Sequence, residues 1–472
     1  VGQRSWRVEV EVKEAPPIRP LPPRYRVQVR KARLLTLLLK EAIHYRFNRK
    51  VVLSRPCIYG VFSGRLGGFR PQHAKCVACM RCKQEYPSVI KDIVPNPEFL
   101  ALGDSYLTPE AIWTINREAT TGGDITRGMG YKGPFSGPGF DSIWTDMSEI
   151  VRPTRHGKLD VEYISTRVDI GRPFVHLDAE LLVAQEPRLL TSNLPIILDW
   201  LPPQMTSPHI SLTLAKAAAS AGTYAVIPRA HCAEGVVPQD HSSSVWAYVE
   251  SQGEAQAPIR AAAIEVAPQA LEAIPTLRRS FQGLVVQRLP FSPGFEEAML
   301  RALELGADAL HLCADYHGRG YGGLENAFIT ELLRRAHLRL LDERLRDGTT
   351  LIVSGGIIRA EHAIKAILLG ADLVAIDMAA LAALQLYPEG EARLPSRTRI
   401  KLSDFPLEWG VQRVANLLNS WREQMIEIMS AMGTRDVRRL RGEVGRAMFN
   451  EVEEDMLRRY VAGELDAQGV AP

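Results

Sequence analysis

From about residue 194 onward, apolar residues fall into two alternating rhythms that predict a repeating strand–helix chain. Short apolar runs at 195–199, 224–227, 260–266, 283–288, 309–313, 351–354 and 373–377 read as buried strands. An eighth strand is expected among residues 236–249. Stretches with helical spacing lie between them, most plainly at 212–221 and 328–347. A further helix from about Arg359 is expected to end on Gly370, where a residue free of steric limits closes the last turn. Gly-Ala-Asp precedes a strand twice, at Gly306-Ala307-Asp308 and Gly370-Ala371-Asp372. This alternation is the sequence form of a parallel barrel. The fold class is therefore α/β, a (β/α)8 TIM-type barrel with an N-terminal cysteine-bearing subdomain and C-terminal helices.

The flanks follow other patterns. Residues 14–25 are proline-rich and read as an extended arm. Residues 31–47 predict an amphipathic helix on Leu34, Leu35, Leu38 and Ile43, and the nearby Arg26, Arg30, Lys31 and Arg33 read as a solvated face. Residues 120–139 are glycine-rich and irregular. Beyond Tyr387 the repeat stops. Val411, Val414, Leu418, Met425, Ile428 and Met429 then mark a helix closed by Gly433, with another expected after Thr434. The expected domains are an arm and helix at 1–50, a cysteine- and glycine-rich region at 51–190, the barrel at 191–390 and a helical extension at 391–472.

A net charge of +3, with 46% hydrophobic and 24% charged residues, calls for neither nucleic acid nor an anionic membrane as partner. No run approaches the roughly 20 apolar residues of a membrane span. The first residues alternate valines with charges and lack the apolar core of a signal peptide, so a cytoplasmic protein is expected.

Cysteines carry the first chemical signal. Cys76-x2-Cys79-x2-Cys82 allows a short loop to curl around a cubane and present successive thiolates to different irons. Tyr86-Pro87 stands where a ferredoxin run has its fourth cysteine, which serves a second cluster. One [4Fe–4S] centre is expected, with Cys57 as the nearby fourth ligand. Zinc is the alternative, although its sites pair separated knuckles. Arg81, Lys83 and Lys75 would offset the cluster's charge. Cys232 and Cys313 read as small buried hydrophobes. The second signal is a phosphate site: Ser354-Gly355-Gly356 and residues 377–380 end the last two strands, where barrels of this type hold phosphate on bare amides.

Residues 195–385 resemble the FMN-binding barrel of the glutamate synthase family. Ser354-Gly355-Gly356-Ile357, Ile367-Leu368-Leu369-Gly370-Ala371-Asp372 and residues 379–384 follow its pattern without a gap, and residues 313–320 keep Gly318 and Gly320 of its glycine-rich loop. Residues 429–446 resemble the segment that follows the barrel in short members. The resemblance implies FMN, with its phosphate on Gly355, Gly356 and the backbone near Asp377 and Met378. Leu201 and Pro202, in the loop at 200–203, would back the ring. Gln287 stands in place of the family's lysine, and either it or Arg288 would meet the ring edge. His317 would donate a proton and Arg319 would hold a substrate carboxylate, with Asp315 in the same loop.

The family's chemistry would pass electrons from a ferredoxin-like donor through the cluster and FMN to a small 2-oxo or 2-imino acid, 2-oxoglutarate plus ammonia giving glutamate. A homo-oligomer or a subunit of a redox complex is expected. The rival readings are a 2-hydroxy-acid dehydrogenase or oxidase, and a non-catalytic relay or scaffold subunit. Departures fall in the substrate loops: residues 386–399 lack cysteine, the acidic loop after the second strand is reduced to Ala233-Glu234-Gly235, and the family's glycine pair becomes His317-Gly318. No glutaminase domain is expected, so ammonia would come free or from a partner. Anaerobic purification should give a brown protein with about four irons per chain; stoichiometric zinc without iron would rule the cluster out.

Overall fold

A computed structural model describes residues 11–48, 57–123, 135–144, 164–171, 176–177, 183–185, 188–233, 235–256 and 260–450. The chain divides into two compact units, Pro17–Asp104 with Thr108–Trp113, and Val1–Pro16 with Ser105–Leu107 and Thr114–Pro472. Expectations for the first ten residues, residue 234 and most of the glycine-rich stretch lie outside the described residues.

The smaller unit is built on an antiparallel pair, β1 (Tyr25–Val29) and β2 (Ile90–Pro95), in which Val27 faces Ile93. Both side chains enter a small core with Leu34, Val61, Val89, Ile90, Cys76 and Cys82. Helix α1 (Lys31–His44) forms where the sequence predicts it. Its stripe is not buried as expected: Leu34 alone is inside, while Leu35 and Ile43 are 52% and 70% exposed. A second, one-turn helix, α2 (Arg81–Glu85), follows the cysteine run.

In the larger unit eight parallel strands pair in chain order and close into a barrel. They are β3 (Ile196–Leu198), β4 (Ala225–Pro228), β5 (Val245–Val249), β6 (Ala263–Val266), β7 (Leu284–Pro290), β8 (Ala309–Cys313), β9 (Thr350–Ser354) and β10 (Leu373–Ile376). The strand expected within 236–249 is β5, and Val374 of β10 pairs with Ile196 to close the ring. Such strands are covered on both faces, which is why they read as unbroken apolar runs.

Helices α3 (Pro208–Ala221), α4 (Ile274–Ser280), α5 (Phe295–Glu304), α6 (Ile329–Asp342), α7 (Ala360–Leu369) and α8 (Met378–Ala383) alternate with the strands. Helix α6 stops five residues before the expected 347, because Arg344 turns into the left-handed region. It buries Ile329, Leu332, Leu333, Ala336 and Leu340, one stripe at helical spacing. Every residue of α7 is buried, Glu361, His362 and Lys365 included. The cause is α9 (Leu407–Ala431), which packs across α3, α7 and α8. Gly433 follows α9 with φ 71°, as expected. Residues 434–450 hold single turns at Val437–Leu440 and Val444–Arg446 and a short strand at Met448–Phe449, and the expected second helix otherwise falls on residues outside those described.

The repeated Gly-Ala-Asp has a physical reason. Asp308 Oδ2 accepts from the Val285 amide at 2.9 Å and from Arg278 at 2.6 Å. Asp372 Oδ2 accepts from the Leu351 amide at 2.7 Å and from Arg346 at 2.9 Å. Each aspartate ties the start of its own strand to the start of the strand before it, through a charge-assisted bond.

At the other end of the barrel, Gly355 and Gly356 follow β9 with φ of 98° and 69°. A Cβ on Gly355 would lie 2.4 Å from the Ala314 carbonyl oxygen, and one on Gly356 would lie 2.6 Å from the Gly318 nitrogen. Backbone meets backbone here, so nothing flexible can yield. Gly356→Ala should cost on the order of 2–4 kcal/mol from strain plus overpacking. Gly294→Ala, also at positive φ but with nothing within 4 Å, should cost only about 1 kcal/mol. Equal urea midpoints for the two variants would contradict the close approach.

Candidate functional site

Strand ends and the loops after them enclose a cavity of about 170 Å³, lined by Trp200, Tyr248, Pro268, Arg288, Pro290, Cys313, Ala314, Tyr316, Tyr321, Ser354, Asp377 and Pro395. Its wall is aromatic and prolyl, Trp200 lying against Tyr248 with ring centroids 4.4 Å apart. Arg288 is the cation among the lining residues.

Gln287 and Arg288 point to opposite faces, because successive side chains on β7 alternate. Gln287 is fully buried and donates from Nε2 to the carbonyls of Val266, Ala267 and Arg288. Arg288 faces the cavity. Its guanidinium donates from Nη1 and Nη2 to the Asp199 oxygens at 2.7 and 3.0 Å, and from Nη1 to Glu265 at 2.8 Å. Glu265 Oε1 also bonds His311 Nδ1 at 2.9 Å. Burial opposes the charge on Asp199, but Arg288, His311 and a hydrogen bond with Ser354 hold its carboxyl at about 2. None of Asp199, Glu265 and His311 was singled out from sequence. Lone charged residues inside Ala263–Val266 and Ala309–Cys313 were the available signal.

Beside the cavity, Gly355, Gly356 and Ile357 are buried, and no group among the described residues accepts from their backbone N–H groups. Buried donors without acceptors are costly, and a row of them at positive-φ glycines suits an anion. Ser354 lines the cavity as well. The Met378 amide is instead taken by the Asp377 carboxylate, which accepts it at 2.5 Å. The phosphate expectation therefore fits at Gly355 and Gly356, whereas the Met378 amide is already occupied.

The loop after β8 is a knot of its own. Asp315 Oδ1 accepts the amides of His317 and Arg319, and its Oδ2 accepts from Arg393 at 2.6 Å. Asp315 thus shapes the loop and does not reach the cavity. His317 stacks on Tyr106 (centroids 5.4 Å apart), with Glu391 3.7 Å from Nε2. Arg319 lies over the Phe328 ring at 4.1 Å. Neither lines the cavity, and a substrate there would meet Arg288 instead. Gly318 packs against Gly356. Leu201 and Pro202 are buried behind Trp200, which supplies the cavity face of that loop. Cys313, expected as a buried hydrophobe, is buried and also lines the cavity. Burial pushes the Cys232 thiol up to about 12.

In the smaller unit Cys57, Cys76, Cys79 and Cys82 influence one another electrostatically, and burial followed by neighbouring cysteines raises the Cys82 thiol. The loop curls through Ala78 (φ 55°) and Met80 (φ 59°), left-handed conformations that non-glycine residues rarely hold. The amides of Ala78 and Lys83 donate to the sulfurs of Cys76 and Cys82. Among the described residues no three of these sulfurs lie within 4.8 Å of one another. Tetrahedral zinc would draw its sulfurs to about 3.8 Å of one another.

Burial, with Asp199 as like charge, pushes Asp377 up to about 7. A carboxyl raised in the fold binds its proton more tightly there than when unfolded. Its contribution is therefore complete below the unfolded value near 4 and fades as pH rises through 7. Asp377→Asn should raise the unfolding temperature at pH 8.5 by several degrees and change it little at pH 5. An equal change at both pH values would contradict the assignment.

A family model described as the conserved region in glutamate synthase matches residues 328–388. The archaeal glutamate synthase [NADPH] of Methanocaldococcus jannaschii is 34% identical over 136 residues, 27% of each chain. The archaeal-type glutamate synthase [NADPH] of Thermotoga maritima is 24% identical over 506 aligned residues, covering 89% of this chain and 96% of that one. Among solved structures, mandelate oxidase with benzoyl-formic acid aligns at a TM-score of 0.40 and 16% identity, over 63% of this chain and 97% of that one. The matched segment runs from the start of α6 through β9, the glycine turn, β10 and α8, so that it contains the bare amides and their supports. Along these matched stretches the chain is similar to glutamate synthases.

Proposed function

We propose that this chain is a flavin-dependent oxidoreductase of the glutamate synthase kind, holding FMN in the barrel and a [4Fe–4S] cluster in the smaller unit. The observation that carries the reading is the row of buried, acceptor-less amides at Gly355, Gly356 and Ile357, set beside an aromatic cavity with one cation on its wall. When bound, the two groups would supply the electron transfers that reduce a small acid: two electrons and two protons added to the C=N bond of 2-iminoglutarate give glutamate. Gly355, Gly356 and Ser354 would hold the phosphate, Trp200 would back the ring, and Arg288 would take the role that the sequence alone assigned to Arg319. His317 does not line the cavity itself, so as proton donor it would act through a bridging water from the loop that brings Ala314, Tyr316 and Tyr321 there. Cys57, Cys76, Cys79 and Cys82 would hold the cluster, whose chemistry would be to pass on electrons from a ferredoxin-like donor. The two named relatives carry NADPH in their names, so that reductant is the rival donor.

One anaerobic absorption series tests this. The purified chain, reconstituted with FMN, iron and sulfide, should show flavin bands over a broad iron–sulfur absorption. Reduced ferredoxin should bleach the flavin, and 2-oxoglutarate with ammonia should restore it, more slowly in His317→Asn. Bleaching by lactate or glycolate and not by ferredoxin would favour a 2-hydroxy-acid oxidase. A colourless chain that takes up no FMN would end the proposal, and unchanged turnover in His317→Asn would remove that residue from its role.

A further inference from the structure

Four charged side chains meet inside the barrel below the cavity, on four different strand positions. Arg288 of β7 and His311 of β8 are register partners, so their side chains emerge on the same face of neighbouring strands. Glu265 of β6 lies between them and bonds both. Asp199, immediately after β3, closes the other side of the guanidinium with two bonds. All four are within the barrel core: Glu265 and His311 are fully buried, Asp199 nearly so, and Arg288 keeps only 12% of its side chain exposed, toward the cavity.

Charge bookkeeping shows why His311 is there. Arg288 alone cannot balance two buried carboxylates, and an uncompensated charge in such a place is strongly unfavourable. A second cation restores neutrality. Burial works against the charge on His311, yet Cys313, Glu265 and Asp199 outweigh it together and push it up to about 10, against Arg288. Three of the five guanidinium N–H groups are then committed to the carboxylates. The guanidinium carbon lies 5.7 Å from the centre of the Trp200 ring on the cavity wall.

We propose that Glu265 and His311 are positioning residues that act through Arg288, fixing one orientation of the cavity's cation and keeping the floor of the cavity electrically neutral. This rests on the flavin reading for what Arg288 meets, but the network itself does not need a flavin. Removing His311 leaves a net negative floor. Arg288 is then pulled inward, electron-rich ligands are repelled, and a bound flavin becomes harder to reduce. Removing Glu265 as well restores neutrality.

The test compares the full-length chain with His311→Gln and with the double variant Glu265→Gln/His311→Gln. FMN affinity, followed by flavin fluorescence at pH 7, should fall about tenfold or more in His311→Gln and return to within about threefold in the double variant. The midpoint potential of the bound flavin should drop in the single variant and recover in the double. A packing role alone would not restore a potential. The unfolding midpoint without flavin should follow the same order. It should also lose the alkaline limb of the unsubstituted chain, because a raised imidazole stabilises the fold below its unfolded value of 6.5 and stops doing so as pH passes about 10. Native-like affinity and potential in His311→Gln, or a double variant as impaired as the single, would overturn the proposal. If the unsubstituted chain binds no flavin, the flavin reading falls. The unfolding midpoints then decide the network: recovery in the double variant supports it, and no recovery overturns it.

Discussion

The contact on which the rest of this structure depends is backbone against backbone, Gly355 and Gly356 pressed into the loop that runs from Ala314 to Gly318. It ties the ends of β8 and β9 together at van der Waals distance. The same absence of side chains that permits the contact leaves peptide nitrogens bare beside the cavity. Tyr106 reinforces the turn by donating to the Gly356 carbonyl at 2.6 Å, and His362 approaches the same oxygen. A turn supported from both sides cannot relax to satisfy its own amides. That leaves them for a ligand.

A second constraint acts inside the barrel. Aspartates outside the cavity, Asp308 and Asp372, serve as staples between strand starts. Asp199 and Glu265 are different, because both bond the one guanidinium of Arg288. The cation that faces the cavity is therefore held by the barrel wall and not by a loop, which is the more rigid of the two platforms. Electrostatic function and core stability share the same four side chains, so neither can be altered without moving the other.

Much of the fold was legible in the sequence, because parallel strands buried on both faces leave long apolar runs and the glycine-terminated helices mark their own ends. All eight strands lie where the apolar runs fall, to within a few residues. The exposed stripe of α1 was not legible: spacing reports which residues share a face, not whether anything covers it. The site divided along similar lines. Gly355 and Gly356 were found because glycine pairs after a strand have one strong physical reading. The Asp199–Glu265–His311 set was missed because its members are far apart in sequence and meet only when neighbouring strands come into register. Arg319 and Asp315 were assigned by position in a loop, and the structure gives Asp315 the loop's own amides to hold. Position at a strand end does not say which way a side chain turns.

The central claim is that a phosphoryl group belongs on the amides after β9. Equilibrium binding of FMN and of riboflavin to the same purified chain tests it most directly, since the two ligands differ only in that group. FMN should bind at least about tenfold more tightly, with the difference lost in a variant that fills the turn. Equal affinities, or no binding of either, would contradict the account.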